Sequence, residues 1–315
     1  MSQSEQSTVT AVVRRPGDRI FLASARGAGI VILVTLAAVS LFLLLEGLPV
    51  LTTPAEEISI LDGKSFTVYV TPLVFGTLWA AFLALLMAFP VAIGIALFIS
   101  HYAPRSIAAV LGYIVDLLAA VPSVVYGLWG GVIFAPSVRP LYTWLEENLG
   151  FLPFFEGPAS GTGRTILTAA IVLAVMVLPI ITAVSREVFL QTPRLYEEAA
   201  LALGATRWEM IRMVVLPVGR GGVISAAMLG LGRALGETLA VAMVLSATGV
   251  ITLNLISSTN PSTIAANVAL SFPEASGLNV NVLIASGLIL FAITLVVNTI
   301  ARWIINLRKD FSGAN

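Results

Sequence analysis

The chain has 315 residues, of which 58% are hydrophobic and 11% charged, and its mean hydropathy is +0.98. A water-soluble core of this length cannot hide that much apolar surface, so lipid is the solvent the composition calls for. Zero cysteines exclude disulfides, thiolate metal sites and cysteine nucleophiles. The single histidine, His101, is too little for a histidine-rich metal centre, and a net charge of zero offers nothing to nucleic acid.

Residues 1–26 are polar and carry Arg14, Arg15, Arg19 and Arg26. The apolar run that follows has no small-residue cleavage site, which predicts an uncleaved first helix rather than a signal peptide. Stretches long enough to cross about 30 Å of hydrocarbon recur at 28–45, 71–99, 107–134, 166–190, 218–247 and 280–305. The expected class is therefore an all-α polytopic membrane protein of about six transmembrane helices, with both termini on one side. That side collects Arg14, Arg15, Arg19, Arg26, Arg105, Arg186, Arg194, Arg207, Arg212, Arg220, Arg302, Arg308 and Lys309, whereas the other has Lys64, Arg139 and Arg164. The bias puts both termini in the cytoplasm, as in a multi-pass protein of the inner membrane.

The organisation read from this is a cytoplasmic segment 1–26, a first helix and outer loop 27–70, a main membrane domain 71–307 and a cytoplasmic tail 308–315. Pro90, Pro122 and Pro179 fall inside spans and predict kinks. In the last outer segment, residues 263–272 are expected to form a short helix against the outer surface.

Between the fourth and fifth spans the sequence writes a helical hairpin over 192–217. Thr192 is placed to cap a helix with Pro193 at its first position, and Glu197 and Glu198 suit the positive end of its dipole. Gly204 supplies a left-handed stop. Thr206 and Glu209 form a capping box that opens a second short helix, which Pro217 is expected to close.

Glu198-Ala199-Ala200, then Gly204, then Leu216-Pro217 resembles the E-A-A-x-x-x-G-x(11)-L-P loop of ABC importer permeases. In that family the loop docks into a cleft on the ATP-binding subunit. The stretches from Ala120 to Gly130 (AVPSVVYGLWG) and from Leu229 to Thr238 (LGLGRALGET) resemble the phosphate-specific Pst branch. The Gly-Leu-Trp-Gly form and Thr263-Ile264-Ala265 are more similar to its PstC subunit than to PstA. The likeness runs from about residue 70 to 305. It implies a type I (MetI-like) permease fold and translocation of inorganic phosphate by alternating access. It also implies three protein partners: a PstB-type ATP-binding subunit that holds ATP and magnesium, a PstA-type second permease and a PstS-type phosphate-binding protein. This chain itself would hold no cofactor.

Asp116, Arg233 and Glu237 are the ionisable residues expected inside spans, where each costs a few kcal/mol and wants a partner or a watery cavity. Arg233 and Glu237 are four apart, so on a continuous helix they share a face. They either neutralise each other or line the path of an anion, with the arginine fork as its countercharge. The Pst resemblance implies the path. Asp116 is a possible partner of Arg233. Gly232 and Gly236 form a G-x-x-x-G unit suited to close packing against a second permease subunit, and Gly127 and Gly131 repeat that spacing.

No Walker-type loop is present, and no nucleophile, base and orienting group come together, so the chain reads as a transport subunit rather than an enzyme. Two other readings stand beside the phosphate permease. One is a permease for another oxyanion such as sulfate or molybdate. The other is a proton-coupled carrier using Asp116 and Glu237 as relay acids.

Overall fold

A computed structural model describes residues 16–306. Arg14, Arg15, Arg308 and Lys309, and with them most of the charge flanking the two ends, lie outside the described residues. The helices are α1 (Pro16–Gly47), α2 (Pro49–Thr52), α3 (Phe66–Leu97), α4 (Arg105–Ala119), α5 (Ser123–Leu128), α6 (Ala135–Leu149) and α7 (Ile166–Leu190). They continue as α8 (Arg194–Ala202), α9 (Arg207–Met210), α10 (Leu216–Leu235), α11 (Leu239–Val244), α12 (Ile264–Ser271) and α13 (Leu278–Asn306). Six helical runs among the described residues are long and apolar enough to cross a membrane.

α7 is the central element, with 67% of its apolar window buried against 33% or less for every other span. It packs along α3, and the reason is written in a column of small residues. Ala80, Ala84, Ala88, Ala92 and Ala96 recur every fourth position, all with 1% or less of their surface exposed. In lipid the hydrocarbon tails compete with any apolar side chain, so helices associate where small residues let backbones approach closely. Thr182 on α7 bonds its own helix at the Leu178 carbonyl (2.8 Å) and also reaches the Ala92 carbonyl at 3.4 Å.

The third crossing differs from the expected single helix. It breaks at residues 120–122, because Pro122 has no N–H to donate and its ring disfavours helical geometry at Val121. α4 and α5 nevertheless run beside α7 in order: Gly112 faces the guanidinium of Arg186, and Gly130 faces Val172. Beyond a π-turn at Trp129–Phe134, α6 continues without interruption past residue 134, the end expected for the third span. Its Tyr142 is fully buried and hydrogen-bonds Thr168 at 2.6 Å. Glu146 accepts from the Ala159 amide at 3.0 Å and pins the following loop.

After α11 the expected helix α12 forms, and the Thr263 hydroxyl accepts from the Ala266 amide at its start. Its first turn is buried in the bundle, whereas Leu270 near its end is exposed. Ile264 is fully buried, and its amide donates to the Thr77 hydroxyl of α3 at 2.9 Å. Asn260, also fully buried, ties this segment to the bundle: its amide nitrogen donates to the Ser246 and Ser257 carbonyls, and its oxygen accepts from the first amide of α7. The result is a plug held between α3, α7 and α13.

Gly76 is where the plug meets α3, and a Cβ there would overlap the Ser262 carbonyl. Gly76→Ala is expected to cost about 1–3 kcal/mol and to lower the melting temperature of the detergent-solubilised protein. An unchanged melting curve would show that the plug yields freely.

Candidate functional site

Two regions carry the residues singled out in the sequence: the hairpin between α7 and α10, and a cavity halfway along α10. In the hairpin, Pro193 rather than Thr192 occupies the cap position of α8, with no side-chain cap bond. Thr192 is buried with its hydroxyl unpartnered, so the cap assigned to it does not form. Gly204 does take the left-handed conformation, at φ +89°, and space is open around it. Thr206 and Glu209 close both bonds of the capping box.

Pro217 does not close the second helix. A π-turn at Ile211–Val215 passes directly into α10, where Pro217 sits in the first turn and its missing N–H costs nothing. Residues Arg207–Leu235 therefore make one helix of 29 residues, about 43 Å long at 1.5 Å per residue. Its first turns are anchored by Met210, Ile211 and Val215, which bury with Phe189, Ala96 and Leu97, and Ala200 packs against the same cluster. Glu198, Ala199 and Gly204 stay exposed. So do Leu195, Tyr196, Leu203 and Trp208, Leu203 with 90% of its surface open. His101 sits in the turn that follows α3. It lies between the Ser100 hydroxyl (2.7 Å) and the Glu197 carboxylate (3.5 Å), tying the end of α3 to α8.

The membrane charges are arranged differently from the sequence expectation. Asp116 is 3.7 Å from Arg186, which also holds Glu187 at 2.6 Å, so its partner is not Arg233. Nor do Arg233 and Glu237 pair. α10 ends at Leu235, with Gly236 as its C-cap, and the loss of helical register separates two residues that would otherwise share a face. Glu237 is buried, and its carboxylate accepts from the Ala240 amide at 3.1 Å, taking up an otherwise orphaned donor at the start of α11.

Arg233 makes no hydrogen bond or ion pair among the described residues, and its Nε is buried without a partner. It lies three residues beyond Gly230, which packs on Val177 and Ile181, and so stands near the middle of α7. There it lines a cavity of about 560 Å³ between α7, α10 and α13, with Ile180, Ser225, Met228 and Asn298. Sequence reasoning missed Ser225 and Asn298, and the only signal was a polar residue inside an apolar run. The lining is mostly apolar, with Ser225, Arg233 and Asn298 as its polar members, and the unpaired guanidinium there is free to donate to an oxyanion.

Of the four glycines assigned to helix packing, Gly127 and Gly131 press against Ala240 and Met243 of α11. Gly232 and Gly236 meet no neighbouring helix within the chain. Close packing onto α7 instead uses Gly219, Gly222 and Gly230, against Val188, Phe189 and Ile181.

A membrane-spanning helical bundle with a capped hairpin at one end and a lone cation in its interior is a transport component. The family model for the binding-protein-dependent transport system inner membrane component matches residues 92–308, and the chain belongs to that family. Within it the chain is of the PstC type. It is 45% identical over 298 residues to phosphate transport system permease protein PstC 2 of Mycobacterium tuberculosis, covering 91% of each chain. It is 42% identical to PstC of Mycobacterium leprae, covering 96% of this chain and 97% of the relative, and 38% identical to PstC of Mesorhizobium japonicum, covering 95% and 94%. The fold matches that of the MetNI methionine ABC transporter in an inward facing conformation, with TM-score 0.54 and 16% identity, over 76% of this chain and 95% of that one. It also matches a bacterial ABC transporter that imports alginate, with TM-score 0.55 and 20% identity, over 76% and 79%. The expected MetI-like permease fold is thereby borne out.

The hairpin's capping box predicts a local effect. Thr206→Ala is expected to cost about 1 kcal/mol and to speed amide hydrogen exchange at residues 207–210, with membrane insertion unchanged. Unaltered exchange would mean that packing on Phe189 alone holds this turn.

Proposed function

We propose that the chain is the permease subunit of an ATP-driven importer that carries inorganic phosphate across the cytoplasmic membrane by alternating access, with both termini in the cytoplasm. The observation that carries this reading is Arg233, an unpaired cation in a mid-membrane cavity of a chain closely similar to phosphate permeases along nearly its whole length. A doubly charged oxyanion cannot cross hydrocarbon bare, because burying uncompensated charge is prohibitive. The guanidinium offers the countercharge, and the cavity of about 560 Å³ has room for water and for the anion.

The energy comes from a partner. In this reading an ATP-binding subunit of the PstB type binds ATP and magnesium and grips the hairpin at Glu198, Ala199, Ala200 and Gly204, with Leu216 and Pro217 marking where the hairpin enters the membrane helix. A PstA-type permease completes the path, its contact including Gly232 and Gly236, and a PstS-type protein delivers phosphate to the outer face. The proton-coupled alternative loses its relay acids, since Asp116 is held by Arg186 and Glu237 by the Ala240 amide.

Two substitutions test the two ends of this mechanism. Arg233→Gln is expected to leave the complex assembled while phosphate uptake falls about a hundredfold or more, the scale seen when one positioned donor to an anion is removed. Normal uptake would reduce Arg233 to scaffolding. Gly204→Asp meets no neighbouring atom but strains the left-handed backbone at φ +89°, so it is expected to spare insertion while distorting the hairpin turn and detaching or uncoupling the ATPase. Co-purification of the ATPase together with undiminished uptake would show that the hairpin is not the docking element.

A further inference from the structure

We propose that Asn298 is a positioning residue of the anion path, supplying from α13 the donor and acceptor that Arg233 lacks on its side of the cavity. The inference rests on the phosphate-permease reading. Three asparagines lie on the described turns of α13 before its last turn. Asn279 is bonded to Ser59 and to the Ile60 amide, and Asn281 to Glu46. Asn298, four residues before Arg302 and exposed on the single chain, makes no hydrogen bond among the described residues, yet it lines the same cavity as Arg233. A carboxamide in a membrane span costs free energy unless something pairs with it, so an unpaired one beside an unpaired guanidinium in a mostly apolar cavity points to a shared transient partner.

The chemistry of the cavity narrows what that partner is. Ser225 also lines it, but its hydroxyl donates to the Gly221 carbonyl at 2.9 Å, which leaves the oxygen as an acceptor. Arg233 is donor-only. Asn298 adds two N–H donors and one carbonyl acceptor without adding charge. This set suits an oxyanion that carries a proton: its bare oxygens take N–H from Arg233 and Asn298, and its O–H donates to the Asn298 or Ser225 oxygen. Phosphate at neutral pH carries at least one proton, whereas sulfate carries none. A neutral amide also holds the anion weakly enough to let it go, as conduction requires.

The test uses the assembled complex with cysteine-free partner subunits, since this chain has no cysteine of its own. Asn298→Cys is expected to react with an anionic, membrane-impermeant methanethiosulfonate, and phosphate is expected to slow that reaction severalfold while equal sulfate slows it less. Asn298→Leu is expected to lower phosphate uptake about ten- to a hundredfold, the scale of one hydrogen bond to a charged group, with assembly and ATPase binding retained and Asn298→Gln recovering part of the rate. Labelling indifferent to phosphate, or wild-type uptake by Asn298→Leu, overturns the inference, and equal protection by sulfate overturns its selectivity. Should the leucine variant fail to assemble, protection at the cysteine decides. A wild-type complex that moves no phosphate defeats the underlying reading instead, whereas a dead Arg233→Gln beside a normal Asn298→Leu defeats only the role of Asn298.

Discussion

The bundle depends on backbone approach between α3 and α7. Inside a bilayer no hydrophobic force drives one helix onto another, so the contact rests on van der Waals packing over every turn at which the two helices meet. Ala80, Ala84, Ala88, Ala92 and Ala96 supply that surface, and Gly76 extends it to the turn where the plug enters. With α3 seated, α7 offers a second face to the glycines of α10 and a third to α4 and α5. Each later contact assumes the first. A large side chain in the alanine column would therefore displace α10, and with it the cavity, although no column residue lines that cavity.

The helix from Arg207 to Leu235 joins the two regions of interest in one rigid element. Its start is fixed by the capping box and by burial of Met210, Ile211 and Val215; its end lies two residues beyond Arg233. The π-turn at Ile211–Val215 is the place where helical register is already relaxed, and such turns recur where helices must adjust. A force on the exposed hairpin acts on a helix whose other end holds the cation. At Gly236–Thr238 this helix ends, and Glu237 anchors the start of α11 beyond the break.

Local chemistry was legible in the sequence because it depends on neighbours in the chain. The capping box at Thr206 and Glu209, the left-handed Gly204, the cap at Thr263 and the number of crossings all follow from residue types at fixed spacing. The expectations that failed assumed that a local pattern persists through tertiary structure. Arg233 and Glu237 are four apart, but a glycine ends the helix between them. Thr192 has a capping side chain, but burial turns it away from α8. Pro217 can stop a helix, but a π-turn absorbs it. Asp116 and Arg186 are 70 positions apart in the chain, and nothing local announces their pairing. The alanine column lay open at a four-residue period, yet a search for paired glycines passes over it because alanine is common in any apolar span.

The charged groups inside the bundle are unevenly satisfied. Among the described residues of the inner membrane region, each negative group is already engaged: Asp116 by Arg186, and Glu237 by a backbone amide at a helix start. The positive group Arg233 is not, and its Nε faces no acceptor. Buried polar groups without partners are rare because each carries the full cost of lost hydration. That cost is tolerable where water or a passing ligand restores the bonds, and the 560 Å³ cavity provides the space for either. Pairing Arg233 with Glu237 would have removed the cost and with it the attraction for anions. Ending α10 at Gly236 prevents that pairing, so the same helix break that disrupts a regular span keeps the cation available.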